Sequence, residues 1–415
     1  MKRVMYEVEF VTPCFLGGAN NRTTAEWRAP AEWRAPSIRG QLRWWLRALA
    51  GGAQDVSQAE VARLEGEVFG TTERTGAVKI LVTAPNEGVP TSTFGRGIDS
   101  QDLARICKGE TEPNVLQRLK IANNGREVNS NPVSYLGYGA INFRGESEKS
   151  YIPAGAKGRI LLEVVRPVSG DLAVLLNDAT WCWLNLGGIG SKSRKGYGSI
   201  KLLSCSPIPP IAGGLGVSPT PDDRTFSEKA RDLNVRYGNS PGLPEWSHFS
   251  SGSSIWLSLS EAPTWIGAME LAGSWLVGFR RRYGMAGDQR LGLANRDYEW
   301  AYHSNGQLFR RGYPDKAGFG LPLPFGRTGE TVTWGANKEN RRASPLLIHI
   351  GKFSTGHRVV MTHIPARLVP RGERLKFKGG RGVGPEPTPE QNAIVERYLG
   401  ELASRGLMRR VDNVG

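Results

Sequence analysis

Tyr6, Val8 and Phe10 alternate with Met5, Glu7 and Glu9 in VMYEVEFV (4–11), and a period of two predicts a strand with one buried face. TPCFLGGANNRT turns away from it, because paired glycines and asparagines tolerate unusual backbone angles. In SIRGQLRWWLRALAGG (37–52) the period changes. Ile38, Leu42, Trp45 and Leu49 share one helical face, with Ser37 as the expected N-cap and Gly51 as the stop. VKILVT (78–83) and GRILLEVV (158–165) have strand length, DLAVLLNDATWCWLNL (171–186) has helix length, and YGSIKLLSC (197–205) reads as a strand. The order is that of a split β-α-β-β-α-β unit. A long interruption at 84–157 is rich in glycine, asparagine and aromatic residues, which predicts an ordered loop region with a short helix around 113–121.

SPIPPIAGGLGVSPTPDD (206–223) is a proline-rich boundary, after which the architecture repeats. SIWLSLS (254–260) alternates as a strand. WIGAMELAGSWLVGFRRRYG (265–284) reads as a helix through Ile266, Met269, Gly273, Leu276 and Phe279. PLLIHI (345–350) and RVVMTHI (358–364) form an expected hairpin. TPEQNAIVERYLGELASRG (388–406) opens with a capping box, Thr388 with Gln391, and closes at Gly406, and LMRRV (407–411) supplies a last strand. No pattern assigns strands between 285 and 345. The expected class is α+β, with two tandem ferredoxin-like (RRM-like) domains carrying long insertions. The expected domains are 1–205, with the insertion 84–157 and a glycine-rich loop 187–199, and 254–415, joined by a connecting region 206–253.

Composition narrows the function. No apolar run reaches the length of a membrane span, and the first residues read as a strand, so a soluble, cytoplasmic chain without a membrane partner is expected. The net charge of +15 points to anionic partners, nucleic acid first. Cys14, Cys107, Cys182 and Cys205 have no CxxC spacing, and the five histidines form no ligand motif, so no metal or other cofactor is expected.

NLGGIGSKSRKGYGSI (185–200) is the richest candidate. Gly187, Gly188, Gly190, Gly196 and Gly198 let backbone N–H groups approach an anion, Lys192, Arg194 and Lys195 add charge, and Ser191 and Ser193 can donate to phosphate oxygens. It is neither a P-loop nor a dinucleotide fingerprint, since it follows a helix and precedes a strand. Arg39, Arg43 and Arg47 form a stripe on the first helix that reads equally as solvated surface or as an RNA-facing edge. In the insertion, Tyr135, Tyr138 and Phe143 either stack on unpaired bases or anchor the loop, and Arg126 and Arg144 can reach phosphates. Arg280, Arg281 and Arg282 end a helix, where cations complement its dipole. ERLKFKGGRG (373–382) resembles a second basic loop. His349, His357 and His363 read as strand residues, Asp222, Asp223 and Asp288 form no metal constellation, and no catalytic residue is assigned.

Three segments give the chain a resemblance to the RAMP superfamily of CRISPR-associated proteins, within it to the Cmr1 subunits of type III-B effector complexes. They are TPCFLGGA followed by AEWRAPSIRGQLRWWLRAL, the loop GGIGSKSRKGYGS, and GLPLPF (320–325) with RRASPLLIHI (341–350). The resemblance implies tandem ferredoxin-like domains and a non-catalytic RNA-binding subunit. Its implied partners are CRISPR guide RNA, near its 3′ portion, target RNA and the other effector subunits. The family's basic helix falls on Arg39, Arg43, Trp44 and Arg47, and its glycine-rich loop on Gly187 to Ser199. AEWRAPAEWRAP (25–36) is a direct duplication. Glu32 and Arg34 keep the spacing closest to the family's segment, and the other copy is expected to lengthen an exposed loop. Two alternatives stay open: a guide-RNA processing endoribonuclease of the same superfamily, whose relatives often use a histidine although none precedes His248 here, and a protein-interaction cap.

Overall fold

Strand β1 (Lys2–Phe10) keeps the alternation, with Val4, Tyr6, Val8 and Phe10 buried and Met5, Glu7 and Glu9 half-buried. The structure is a computed structural model. It describes residues 2–17, 31–53, 56–83, 121–123, 126–128, 132–141, 147, 149–206, 214–282, 315–325, 330–335, 340–378, 386–387 and 389–413. After β1 come α1 (Ala35–Ala50), α2 (Gln58–Phe69), β2 (Val78–Thr83) and the short pair β3 (Ile121–Asn123) and β4 (Arg126–Val128). Helix α3 (Pro132–Gly137), β5 (Lys157–Val164), α4 (Gly170–Leu186) and β6 (Ile200–Ser206) follow. The sheet order is β2-β5-β1-β6, with antiparallel pairs throughout. That is the strand order of a ferredoxin-like unit, in which each helix crosses over the sheet before the next strand is added.

The second half contributes α5 (Asp223–Tyr237), β7 (Ser254–Ser258), α6 (Trp265–Arg282), β8 (Leu323–Phe325), β9 (Glu330–Trp334), β10 (Leu346–Lys352) and β11 (His357–His363). It ends with β12 (Leu375–Lys378), α7 (Pro389–Asn392), α8 (Ile394–Ser404) and β13 (Met408–Arg410). Its main sheet runs β10-β11-β7-β13, the same order, and β12-β9-β8 form a small separate sheet.

Burial explains how the halves join. Leu347 and Val360 belong to one core with α1, α4 and α5, whereas Ile348, Ile350, Val359 and Met361 belong to a second core with α6 and α8. The second sheet is therefore covered on both faces, which is why LLIHIG reads as an unbroken apolar run. Helix α5 is tied to α4 through Asp178, whose carboxylate accepts from Lys229 Nζ (2.6 Å), Arg236 (2.9 Å) and the Tyr237 hydroxyl (2.8 Å).

Several local expectations change. Helix α1 starts at Ala35 with Arg34 in the N-cap position, because Pro36 lacks an N–H and suits the first turn; Ser37 lies inside that turn. Of the expected helix at 113–121, residues 113–120 lie outside the described residues, and Ile121 opens a strand. The region read as a connector contains α5, capped by the Asp222 side chain, while Asp223 pairs with Arg358 (2.9 Å). The helix expected from 388 is interrupted at Ala393, and part of the expected second basic loop is β12, paired with β9. Within the duplication, the second copy is built into the fold: Trp33 is buried against Phe10, ring centroids 5.1 Å apart. The first copy lies outside the described residues.

Candidate nucleic-acid interface

The turn between α4 and β6 is held from both sides. On the first half, Ser191 N–H donates to Phe15 O (2.8 Å), Gly198 N–H to Pro13 O (2.9 Å) and Thr12 Oγ1 to Gly196 O (2.7 Å). On the second half, Ile348 N–H donates to Arg194 O (3.1 Å) and Ile350 N–H to Ser199 Oγ (3.0 Å), so the turn caps the edge of β10. His349 Nδ1 lies 2.6 Å from Gly187 O; burial pushes its pKa down to about 4, so it donates as the neutral ring. The glycines serve this close fit. Gly190 has φ +86°, and a β-carbon there would lie 2.6 Å from Phe15 O; at Gly196, φ +87°, it would lie 2.5 Å from Met269 Sδ. At Gly188 a β-carbon would lie 3.1 Å from the Ser193 and Gly198 carbonyl oxygens, a tight approach but a less prohibitive one.

Rigid packing of the glycines leaves the cations as the chemistry of the turn. Lys192 adopts φ +64°, the left-handed region that side chains other than glycine rarely occupy. Burial lowers its pKa, and Lys149 and Arg341 lower it further. Arg194 stacks on Trp44 at 4.8 Å and donates to Ser344 O; burial and Arg342 bring it to about 10. Lys195 is half-buried, and burial together with Arg280, Lys192 and Arg194 brings it to about 7. Among the described residues no carboxylate acts on any of these three. Ser191 and Ser193 lie half-buried on the same turn.

The first helix meets the turn through its paired tryptophans: Trp45 Nε1 would lie 2.7 Å from a β-carbon at Gly187. Trp44 carries the Arg194 stack and packs edge-on against Trp45, ring centroids 4.8 Å apart. Arg43 and Arg47 are directed to α2, where Glu65 accepts from Arg43 Nε (2.5 Å) and Arg47 (2.8 and 2.9 Å). Arg39 is half-buried on the same helix. Glu65→Gln should lower stability by about 1–3 kcal/mol, since the acceptor of two arginines loses its charge. The melting temperature tests this, and an unchanged value would show the arginines to be held independently.

The described part of the insertion also reaches the turn. Tyr197 OH donates to Val133 O (2.9 Å), and a β-carbon at Gly139 would lie 3.5 Å from Lys192 Nζ. Next to Gly139, Tyr138 is 55% exposed. Tyr135 instead anchors Arg280, bonding its guanidinium through the hydroxyl and lying beneath it at 5.7 Å. Arg144, Phe143, Cys107 and Asp288 lie outside the described residues, as do the side chains of Arg126, Arg281 and Arg282.

Sequence reading missed Glu65, Lys149, Arg341 and Arg342 as members of this constellation. Arg341 and Arg342 stand in RRASPLLIHI, a segment singled out for its resemblance but given no role in the site. His357 and His363 are apart from the turn, opposite Lys352 and Leu346 in the β10–β11 pair. No group of three or more potential metal ligands occurs among the described residues.

Residues 7–201 match the RAMP superfamily. Over 203 residues the chain is 31% identical to the CRISPR system Cmr subunit Cmr1-1 of Pyrococcus furiosus, covering 48% of each chain. It is 27% identical to Cmr1-2 of the same organism over 203 residues, 49% of this chain and 96% of that one. The chain thus matches about half the length of the first of these relatives. In fold, it superposes on the crystal structure of apo Cmr1 from Pyrococcus furiosus with a TM-score of 0.56 and 19% identity, covering 99% of both chains. With a chain of the type III-B Cmr-beta complex bound to cognate target RNA, the TM-score is 0.53 at 12% identity, covering 96% of this chain and 99% of that one. The first half of the chain is thus similar in sequence to the RAMP superfamily and to Cmr1 subunits, and the chain shares the fold of Cmr1 along its length.

Proposed function

We propose that the chain is a non-catalytic, RNA-binding subunit of a type III-B CRISPR effector complex, placed to hold the 3′ region of the guide RNA and to engage target RNA beside the other subunits. The observation that carries this reading is the group of cations at the seam of the two halves. Lys192, Arg194 and Lys195 are crowded by Lys149, Arg280, Arg341 and Arg342, with no described carboxylate acting on them. Like charges held together away from water raise one another's cost, and a polyanion relieves it. Lys149 and Arg341 are exposed, so phosphates can reach the group, and the exposed Tyr138 offers a ring for an unpaired base. The similar chain in the Cmr-beta complex was solved with cognate target RNA bound to that complex, which supports the same assignment. Contacts of this kind position a strand and read no sequence.

The domains follow the two sheets: 1–205 and 254–415, with 206–253 between them. No helix among the described residues is long and apolar enough to cross a membrane, and a place in a cytoplasmic complex is part of the proposal. The test is the affinity of the purified chain for single-stranded RNA across a salt series. Binding should weaken steeply with salt, and Lys192→Ala should reduce the log–log slope by about one. Absent or salt-independent binding would refute the reading, and cleavage of a labelled repeat RNA would replace it with the endoribonuclease.

A further inference from the structure

Arg280 is held by aromatic rings and, among the described residues, by no acid. It stands in the last turn of α6, and its guanidinium lies 5.7 Å from the ring centroid of Tyr135 and 5.8 Å from that of Phe319. Nη1 donates to the Tyr135 hydroxyl, whereas the buried Nε meets no acceptor among the described residues. Both rings are fixed in turn. Phe319 is buried at the end of the short turn Asp315–Phe319, with its centroid 6.2 Å from Phe279 and 6.0 Å from Tyr398. Tyr135 belongs to α3, whose Val133 O accepts from Tyr197 and whose Pro132 packs on Gly273 of α6, where a β-carbon would lie 2.6 Å from it. This frame adjoins the glycine-rich turn: Gly196 packs on Met269 of α6 and Tyr197 bonds to α3, the helices that carry Arg280 and Tyr135. A cation in a last helical turn is favoured by the dipole alone, which asks for neither ring nor hydroxyl. Stacking and a bonded edge instead fix the plane of the guanidinium, the condition for a directed, forked grip on a phosphate.

We propose that Arg280 grips an RNA phosphate in the seam and that Tyr135 is its positioning residue, aligning the guanidinium through the phenol hydroxyl without touching RNA itself. The proposal rests on the RNA reading above and adds to it a contact from the second half of the chain, together with the side chain that sets its geometry. It also gives the described part of the insertion a task, since α3 carries the clamp while Tyr138 stays exposed. A phosphate oxygen arriving at the guanidinium supplies the acceptor that its remaining donors lack.

The experiment measures binding of the full-length chain to a single-stranded oligoadenylate across a salt series, with melting temperatures alongside. The proteins are the wild type, Arg280→Gln, Arg280→Lys, Tyr135→Phe and the double variant of Tyr135→Phe with Arg280→Gln. Arg280→Gln should weaken binding roughly tenfold at moderate salt and lower the log–log slope by about 0.7, the share of one phosphate contact on a single strand. Arg280→Lys should keep the slope and still lose affinity, because an ammonium has no fork to align. Tyr135→Phe keeps the ring and loses the hydroxyl, so binding should weaken roughly threefold. That loss should vanish in the Arg280→Gln background, because the phenol acts through Arg280. Equal losses from Tyr135→Phe in both backgrounds would overturn the positioning role. Wild-type affinity and slope in a folded Arg280→Gln would overturn the contact and leave Arg280 as a helix-end cation. Where Arg280→Gln melts too low to assay, Arg280→Lys decides, and wild-type affinity in it would overturn the proposal. A wild type that binds no RNA at any salt overturns the RNA reading together with it, whereas wild-type binding with every variant unaffected overturns this proposal alone.

Discussion

Alanine at Lys149, Lys192 and Arg341 together should weaken binding of single-stranded RNA by roughly two to three orders of magnitude at moderate salt. A charge-assisted contact contributes about 1.5–3 kcal/mol, and the exposure of Lys149 and Arg341 places their contributions at or below the low end. Roughly tenfold per residue follows, since about 1.4 kcal/mol is one decade. Lys149 and Arg341 are exposed and Lys192 half-buried, so their removal takes charge from the entrance of the seam and leaves the buried packing of the turn in place. Unchanged melting with lost affinity is the expected pair of results. Fluorescence anisotropy across a salt series checks both parts, because the lost contacts should also flatten the salt dependence. A triple variant that binds as well as the wild type would show that RNA does not enter between Lys192 and Arg341.

Asp178→Ala should destabilise the fold by about 1–3 kcal/mol, the cost of leaving the buried Tyr237 hydroxyl and the half-buried Lys229 without their shared acceptor. Asp178 is buried, and its two oxygens receive Lys229, Arg236 and Tyr237 from α5. Burial and the Asp178 charge push the Tyr237 hydroxyl well up from its ordinary range, so it donates throughout the accessible pH range. Without the carboxylate, α5 keeps its apolar face of Phe226, Ala230, Leu233 and Tyr237 and the Asp223–Arg358 pair, and Lys229 and Arg236 keep Asp232 but lose their link to α4. Urea or thermal unfolding measures the loss. Combining Asp178→Ala with Lys229→Met should cost less than the sum of the two, because both changes remove the same ion pair. Additive losses, or a near-wild-type Asp178→Ala, would mean that the network does not hold α5.

The two-sheet plan was legible because each strand repeats its period within a few residues. VMYEVEFV shows alternation, and LLIHIG shows the continuous run of a strand buried on both faces. Two helices were equally legible and were passed over. SQAE (57–60) is a capping box whose Ser57 does accept the Glu60 N–H (3.2 Å), and Phe226, Ala230, Leu233 and Tyr237 recur at helical spacing behind a proline-rich stretch. The site was only half legible. Charge and glycine content located the turn, but the tertiary fold decides which cations gather there. Arg341 lies far along the chain from Lys192, and no local pattern brings them together. The stripe Arg39, Arg43, Arg47 follows helix geometry, yet the neutralisation of two of its members by Glu65 depends on how α2 packs against α1. The glycines looked like anion donors, whereas Gly190 and Gly196 are required by Phe15 and Met269.

Ultraviolet crosslinking of RNA to this chain within its assembled complex, with adducts mapped to peptides, addresses the seam most directly. Adducts should fall on the Tyr138 turn, on the stretch from Ser191 to Lys195 and on Arg341–Arg342, which the fold brings to one place. Adducts confined to the opposite end of α4, around Asp171, or to α5, with none on the seam, would contradict it.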